Sequence, residues 1–251
     1  MKYFILSILF LITSSVKAQL AVIADQDGYV NVRQTGNMKA QIIGKINSGE
    51  IVLYNDDYKI NEWKEIYYSP NQVMTFPPVD YIKQTDYLEG FVHKSRVIPI
   101  GNSPRMILKK GVGYITANKP TDRNDTIVFI LNVKKFNINF HKIIKSDDGC
   151  TNCKKKFVDK IDGRKPWGID GDLPEKEIYN IALTINKKTI LMPVESYNDL
   201  FEPNSNTEIH YDDKGNIYLY MPNNSDGAGG YDVVWVIRDG KLTKRYVDSI
   251  D

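Results

Sequence analysis

The stretch that decides the fold of the first third of the chain is Gly28-Tyr29-Val30-Asn31-Val32-Arg33. Its two valines alternate with Tyr29, Asn31 and Arg33, which is the two-residue period of a strand with one apolar face. Asp27-Gly28 before it is a turn signal. The stretch therefore predicts a short strand whose polar face is free to meet solvent or a ligand.

Further short apolar runs, separated by turn signals, lie on both sides of this strand. They are Ala21–Ala24, Ile42–Ile46, Ile51–Tyr54, Glu62–Tyr68 and Gly90–His93. Short strands at close spacing are typical of a small β-barrel.

Taken in order, these segments resemble a bacterial SH3 domain, a small β-barrel common in proteins of the bacterial envelope. The residues that carry the resemblance are Gly28–Arg33, Ile43–Ile46, Gly49–Val52, Trp63, Ile66 and Gly90–Ser95. The resemblance covers about residues 20–98. It implies a module that binds, usually a peptidoglycan peptide or another peptide, and rarely performs chemistry.

The sequence departs from the family pattern in two places. Gly36-Asn37 stands where the family commonly has Gly-Pro or Gly-Ala, and residues 69–88 form an unusually long connection. A loop of this length in a compact domain is usually functional or partly disordered. We expect it to cover the binding face or to enlarge it.

The outward face of this module is the predicted ligand site, because aromatic rings beside hydrogen-bonding groups suit recognition of peptide or sugar. Trp63 is included because, if Ile66 faces the core, a residue three positions away faces outward. The alternative is that several of these rings complete the core, Phe91 above all. The predicted residues are Tyr29, Asn31, Arg33, Trp63, Phe91 and His93.

Residues 1–18 have the architecture of a secretory signal peptide: Lys2, an apolar run, and small residues before a cleavage point after Ala18. A retained N-terminal anchor is the alternative, but the apolar run is too short to span a bilayer. We therefore expect a periplasmic or secreted protein without a membrane span after signal removal.

The charge of the chain is nearly balanced, with 33 basic and 31 acidic residues. Removal of Lys2 and Lys17 with the signal leaves a formally neutral protein. A neutral chain is not expected to bind nucleic acid or an anionic membrane through bulk charge.

Cys150 and Cys153 are the two cysteines of the chain. Outside the cytoplasm such a close pair usually forms a disulfide. Lys154–Lys156 would favour a thiolate and hence a redox role, but no thioredoxin-like pattern surrounds the pair. Two thiolates with His141 would make an incomplete zinc site.

The rest of the chain predicts a second β module over 105–251, after the first module over 19–98 and a linker over 99–104. Apolar runs at Thr126–Val133 and Phe136–Ile144 are predicted strands, and Glu195–Phe201 is predicted to make one or two helical turns. Three hairpins follow, centred on Asn186–Lys188, Asp212–Gly215 and Asp239-Gly240. The predicted fold class is all-β: an SH3-like barrel and then an antiparallel sandwich or half-barrel.

Two glycine-rich loops of the second module contain clustered oxygen ligands. Asp170, Asp172 and Asp226 are weak calcium candidates. The spacing matches no calcium motif, so ordinary turns are the alternative. No cofactor or metal is expected, and this region resembles only uncharacterised secreted bacterial modules.

The sequence thus predicts a non-catalytic envelope protein that binds a peptidoglycan peptide or an envelope protein. An inhibitor or immunity-like protein that blocks a secreted toxin or hydrolase is one alternative. The other is a cell-wall cysteine peptidase, since Cys150 and His210 have the order and rough separation of its nucleophile and base. The surrounding Gly149-Cys150-Thr151-Asn152-Cys153 does not match the motif of such peptidases.

Overall fold

The computed structural model describes residues 18–60, 62–68, 74–76, 88–119, 126–147, 156–225 and 229–249. Residues 1–17 of the predicted signal peptide, both cysteines and Asp226 lie outside these residues. The strands are β1 Ala18–Ile23, β2 Tyr29–Arg33, β3 Ile42–Asn47, β4 Ile51–Ile60, β5 Trp63–Tyr68, β6 Met74–Thr75, β7 Leu88–His93, β8 Val97–Pro99, β9 Ile107–Lys110, β10 Ile115–Asn118, β11 Thr126–Lys135, β12 Ile143–Ser146, β13 Phe157–Ile161, β14 Lys176–Ile185, β15 Lys188–Leu191, β16 Glu208–Tyr211, β17 Ile217–Asn224, β18 Tyr231–Arg238 and β19 Lys241–Ser249.

These strands form four sheets in which every strand pair is antiparallel. Sheet A has the order β3-β2-β7-β5-β4-β1-β8, sheet B β16-β17-β18-β19-β6, sheet C β15-β14-β11-β10-β9, and sheet D pairs β12 with β13. The predicted all-β fold class with antiparallel sheets is confirmed.

Sheet A is strongly bent. Its edge strand β3 and its fifth strand β4 are joined by only Ser48–Glu50, so the sheet must curve to bring them together. The bend encloses an apolar core, and among the described strands the sheet ends at two edges, so it is not a closed barrel. The core residues are Ala21, Ile23, Val30, Val32, Ile46, Val52, Tyr54, Ile66, Val92 and Val97.

Sheet B is the central layer of the molecule, because both of its faces are covered. Alternate residues of β18 face opposite ways: Val234 and Val236 join the core shared with sheet A, while Val233, Trp235 and Ile237 join the core shared with sheet C. A strand buried on both faces needs a continuous apolar run rather than an alternating one. That requirement accounts for the unbroken Val233–Ile237 segment.

The face of sheet B toward sheet C holds the largest core. It includes Phe129 of β11, Leu183 of β14, and Leu219 and Trp235 of sheet B. The Trp235 indole Nε1 donates to the Ser196 carbonyl oxygen at 2.9 Å. Arg245 forms a buried bidentate ion pair with Asp199, whose second contact is 2.8 Å.

The face toward sheet A holds a smaller core with polar anchors. Leu20, Val22, Ile51 and Leu53 pack against Tyr218, Val234, Val236 and Tyr246. The Glu50 carboxylate is buried among them; it pairs with Lys244 and, at 3.0 Å, with Arg238, and it accepts from the Tyr246 hydroxyl at 2.9 Å. Burial alone would raise the pKa of Glu50, but Lys244, Arg238 and Tyr246 more than offset it and hold that pKa below its ordinary value.

Segment 99–104, predicted as a linker, is built into the fold. Pro99 ends β8 and lies opposite Ala21 of β1, and Ile100 joins the core between sheets A and B. Residues Ile100–Asn102 form a 3-10 turn that the Ser103 hydroxyl closes with a 2.6 Å hydrogen bond to the Ile100 carbonyl oxygen. Pro99 therefore ends a strand rather than marking a flexible connection.

The predicted strand Phe136–Ile144 is wrong. The Asn137 side chain accepts from the Asn139 backbone N–H at 3.1 Å and begins a 3-10 turn at Ile138–Phe140. Local side-chain bonds of this kind compete with strand pairing. In the predicted helical segment 195–201, the described helical part is a single 3-10 turn, Val194–Ser196.

Candidate functional site

Within the residues that the structure describes, the outer face of sheet A is half covered and half open. Sheet B covers the part made by β1, β4 and the end of β5. The part made by β2, β3, β7 and the start of β5 does not join either large core, and we call it the open face. All six predicted ligand residues lie on its strands, facing away from the core of sheet A.

The strand register places several of these side chains next to one another. Arg33 lies opposite Phe91, and Phe91 lies opposite Glu65 on its other side. Directly opposite residues of neighbouring strands share a face, with Cβ atoms about 5 Å apart. Arg33, Phe91 and Glu65 therefore form one row across the open face, with Phe91 in the middle.

Trp63 does not offer its ring to a ligand as predicted. It lies opposite His93 and makes an edge-to-face contact with that ring at 5.7 Å between centroids. The indole is only 8% exposed. The alternation did place Trp63 on the outer face, but its neighbours cover it, so its role there is to support His93.

His93 is held in place by its own turn. Its Nδ1 lies 2.8 Å from the Ser95 hydroxyl and accepts from the Ser95 backbone N–H, which caps the 3-10 turn Lys94–Arg96. Phe91 is half-buried and is not part of the sheet A core. The alternative that Phe91 completes that core is therefore wrong.

The β2–β3 side of the open face is basic. Lys45 lies opposite Asn31, and its Nζ is 4.2 Å from the centroid of the Tyr29 ring. The Arg33 guanidinium donates to the Ala40 carbonyl oxygen at 2.7 Å, which fixes the direction of its side chain.

Asn31 has a buried acceptor without a donor. Its side-chain Oδ1 is shielded from solvent and has no hydrogen-bond partner among the described residues. Such an orphaned acceptor is uncommon, because burial without a hydrogen bond is costly.

The β5–β7 side of the open face is acidic, and sequence analysis did not identify it. Glu65 is buried, hydrogen-bonds with Glu89, and accepts from the Asn55 amide at 3.4 Å. Burial, and then the hydrogen bond and charge of Glu89, raise the pKa of Glu65. The sequence does place both carboxylates near predicted ligand residues, since Glu65 lies two residues from Trp63 and Glu89 two residues from Phe91. That the two carboxylates lie side by side follows only from the pairing of β5 with β7.

The connection between β5 and β7 was predicted to cover or enlarge this face, and its described residues do neither. Met74 and Thr75 form β6, which pairs with Arg245 and Lys244 at the edge of sheet B. Phe76 is buried in the core between sheets B and C, and its N–H donates to the Thr243 carbonyl oxygen at 2.8 Å. This part of the connection holds the modules together.

The glycine-rich loops behave as turns in the residues that are described. Asp170 and Asp172 are exposed, and the described ranges contain no group of three His, Cys, Asp or Glu residues able to hold a metal ion. Gly171 has φ +78° and lies against the Phe157 ring, where a side chain would clash. Asp232 ties the second loop down by accepting from the Asn223 N–H at 2.7 Å and the Tyr220 hydroxyl at 2.6 Å.

The two described histidines outside sheet A, His210 and His141, both contact other groups of the fold through their ring nitrogens. His210 is fully buried, with Nδ1 at 3.1 Å from the Ser103 carbonyl oxygen and Nε2 at 3.0 Å from Glu208. A catalytic base needs a free nitrogen facing its nucleophile. This geometry argues against His210 as the base of a cysteine peptidase.

His141, the predicted third ligand of a zinc site, lies between two carboxylates. Its Nδ1 is 2.7 Å from Asp162 and its Nε2 is 3.1 Å from Glu177, while the ring stacks on Phe136. Burial opposes ionisation of Asp162, but the hydrogen bond to His141 and the Lys142 N–H lower its pKa.

Comparison with protein-family models, with curated proteins and with solved structures finds no match for this chain. In the part of the chain that the structure describes, no helix has the length and apolar character to cross a membrane.

Proposed function

We propose that this chain is a non-catalytic binding protein of the bacterial envelope, and that the open face of sheet A binds a short peptide such as a cell-wall peptide. The bacterial SH3 resemblance of residues 20–98 supports a binding role. The arrangement of the open face supports a ligand with peptide chemistry.

The single observation that carries the proposal is the orphaned Oδ1 of Asn31. Asn31 as a whole is only half-buried, so a rotation of its side chain would let a backbone or side-chain N–H of a bound peptide supply the missing donor. The acceptor lies between Tyr29 and Arg33 on β2, so the same ligand would reach the aromatic and charged groups beside it.

The charges of the open face would orient such a peptide. Arg33 and Lys45 on the β2–β3 side suit a carboxylate, and Glu65 with Glu89 on the opposite side suits an ammonium group. Phe91, between the two sides, would pack against an apolar stem. A short peptide with both an amino and a carboxylate group fits this order.

Binding should be tested with the chain from residue 18 to residue 251 and purified peptidoglycan in a co-sedimentation assay. Isolated modules are unsuitable, because Phe76 and the Glu50 cluster join sheet A to sheet B. The wild type should pellet with the wall. Tyr29→Ala with Phe91→Ala should weaken binding about tenfold or more, because two contact rings are lost.

The matched control is Ile107→Ala with Leu191→Ala, two exposed apolar residues of sheet C. It should bind like the wild type. Equal loss in both double variants would place the site elsewhere. Failure of the wild type to pellet would overturn wall binding, and a protein partner, including the inhibitor hypothesis, would then be tested by pull-down from envelope extract.

A second assay tests the ligand chemistry. A soluble wall peptide should bind more tightly than its N-acetylated form, and Glu65→Gln should reduce that difference, whereas Asp27→Asn on an exposed turn should not. Equal affinity for the two peptides would refute the role assigned to the acidic side.

A further inference from the structure

The pairing of sheet C brings four separate segments to one of its ends. Ile115 of β10 lies opposite Phe129 of β11, so the turn 111–114 lies beyond that pair, next to residues 130–132. Asn132 lies opposite Asn180, so β14 begins at the same end, and the 3-10 turn Ile138–Phe140 follows directly after β11. We call this region the basic end of sheet C.

Large apolar side chains are exposed on three of these segments. Val112 is fully exposed at the tip of its turn, Phe140 is 77% exposed on the 3-10 turn, and Tyr179 is 60% exposed at a β-bulge of β14. In contrast, the central sheet B contributes none of the large exposed apolar residues of the described chain. Exposed apolar side chains that are grouped at one end of a sheet, rather than scattered singly, are typical of an interaction surface.

Lysines are frequent in the segments that carry these apolar side chains. Residues 126–146 contain four lysines and no acidic residue, and Lys110 borders the turn that carries Val112. Lys134 lies 5.3 Å from the centroid of the Tyr179 ring. Glu177, buried at the same end, pairs with Lys134 at 3.4 Å and lies 3.1 Å from His141, so it offsets the charge of that lysine. The exposed residues Lys110, Lys135 and Lys142 carry the positive charge of this end.

The charge of the chain after Ala18 is balanced in total but unevenly distributed along the sequence. Residues 105–195 contain 18 basic and 11 acidic residues, while the remainder of the chain after Ala18 contains 13 basic and 20 acidic ones. A segment of this sign attracts an anionic partner even when the whole chain carries no net charge.

We infer that the basic end of sheet C docks on the surface of a bilayer that contains anionic phospholipid. The lysines would contact the headgroups, and Phe140, Val112 and Tyr179 would enter the interfacial layer. Val112 and Phe140 stand on separate turns and Tyr179 on a β-bulge, all at one end of the sheet, an arrangement that suits the headgroup layer. This inference does not depend on the open face of sheet A, which belongs to another layer of the molecule.

The test is flotation of the chain from residue 18 to residue 251 with vesicles of phosphatidylcholine alone or with phosphatidylglycerol added. The protein should float with the anionic vesicles and not with the neutral ones, and 0.5 M salt should release it, because surface charge is then screened. No binding to anionic vesicles at low salt, or equal binding to both vesicle types, overturns the inference.

Two pairs of variants locate the contact. Lys135→Glu with Lys142→Glu should weaken binding about 25-fold or more, from about fivefold for each lysine lost. Phe140→Ser with Val112→Ser should weaken it about tenfold. Each variant should keep the thermal unfolding profile of the wild type, because all four side chains are exposed or lack a described ion pair.

The matched controls lie at the opposite end of sheet C. Lys187→Glu with Lys188→Glu makes the same change in net charge near the β14–β15 turn, and Ile107→Ser removes an apolar side chain that is 56% exposed. Both should bind anionic vesicles like the wild type. If they weaken binding as much as the first pairs do, the effect is one of total charge or hydrophobicity and the assigned surface is wrong.

Discussion

The two faces of sheet B are buried in different ways. Toward sheet C the contact is a broad apolar core in which Leu219 and Trp235 are completely buried. Toward sheet A the core is smaller, and the contact is completed by the Glu50 cluster and by tyrosine hydroxyls, such as that of Tyr218, 2.9 Å from Asp212 and 3.2 Å from the Gly49 carbonyl oxygen. Sheets B and C therefore share the larger apolar contact, and sheet A is docked on sheet B through a smaller contact that ion pairs help to hold.

This difference matters for the proposed binding role. Sheet B covers only half of the outer face of sheet A, and the uncovered half carries Arg33, Phe91 and Glu65 in one row. A fully wrapped sheet would have no such surface, and a sheet without a partner would expose Leu20 and Leu53 to water. Because sheet B docks on one half of the outer face of sheet A, the other half remains available for the proposed binding role.

The largest expected effect comes from replacing one buried leucine by alanine in the core on each side of sheet B. Leu219→Ala, toward sheet C, should lower the free energy of unfolding by about 4 kcal/mol, because a fully buried site leaves a cavity. Leu53→Ala, toward sheet A, should cost about 2 kcal/mol, since its contact is smaller and closer to solvent. Urea unfolding measures both, and equal losses would contradict the ranking of the two faces.

A second substitution tests the segment that connects all three layers. Phe76 lies between β5 and β7 of sheet A in sequence but is buried in the core between sheets B and C. Phe76→Ala should lower the free energy of unfolding by about 3 kcal/mol and speed hydrogen exchange in β19, where β6 pairs. Met38→Ala, at an exposed side chain between β2 and β3, is the control and should change neither. Unchanged exchange in β19 would show that Phe76 does not anchor β6.

A third substitution tests the polar contact between sheets A and B. Glu50→Gln keeps the shape of the side chain but leaves Lys244 and Arg238 without their buried anion, at a cost of about 2 kcal/mol. Because the pKa of Glu50 is lowered by folding, its contribution is present above the ordinary pKa and is lost as the pH falls through the lowered one. The variant should lack that acid-induced loss. Glu62→Gln breaks an exposed pair with Lys94 and should cost under about 1 kcal/mol; an equal cost would mean that burial adds nothing at Glu50.

The sequence predicted those parts of the fold that local patterns encode. Alternation located β2, and tight-turn signals located the hairpins at Asn186-Lys187 and Asp239-Gly240. The short strands β9 and β10 were missed, because four residues are too few to establish a period. The pairing of β6 with β19 joins residues far apart in the chain, and no local pattern reports such a contact.

For the candidate site, too, the sequence predicted the features that one strand encodes and missed those that depend on several strands. Period-two alternation predicted that five residues lie on the outer face, and they do so in the structure. They are Tyr29, Asn31, Arg33, Phe91 and His93. Burial of Trp63 depends on neighbours from other strands, and the pairing of Glu65 with Glu89 depends on the register of β5 and β7. Both are properties of the assembled sheet rather than of any one strand.

The smallest expected effect separates the open face from the covered one by its response to pH. Folding raises the pKa of Glu65, so the folded state holds its proton more tightly than the unfolded chain does. Stability should therefore fall as the pH rises from the ordinary pKa of Glu65, near 4.5, through the raised value. Glu65→Gln should remove this loss and raise the free energy of unfolding at neutral pH by about 1 kcal/mol or less, because the amide needs no charge.

Urea unfolding from pH 4 to pH 8 measures this difference, with Asp27→Asn at an exposed turn as the control. The Glu65 and Glu50 variants should change the pH profile in opposite directions, because folding raises one pKa and lowers the other. If Glu65→Gln is less stable than the wild type at pH 8, the carboxylate must be stabilised when charged. The Glu65 carboxylate would then be paired with a positive group of the protein itself. The acidic side of the open face would not be available to the ammonium group of a ligand.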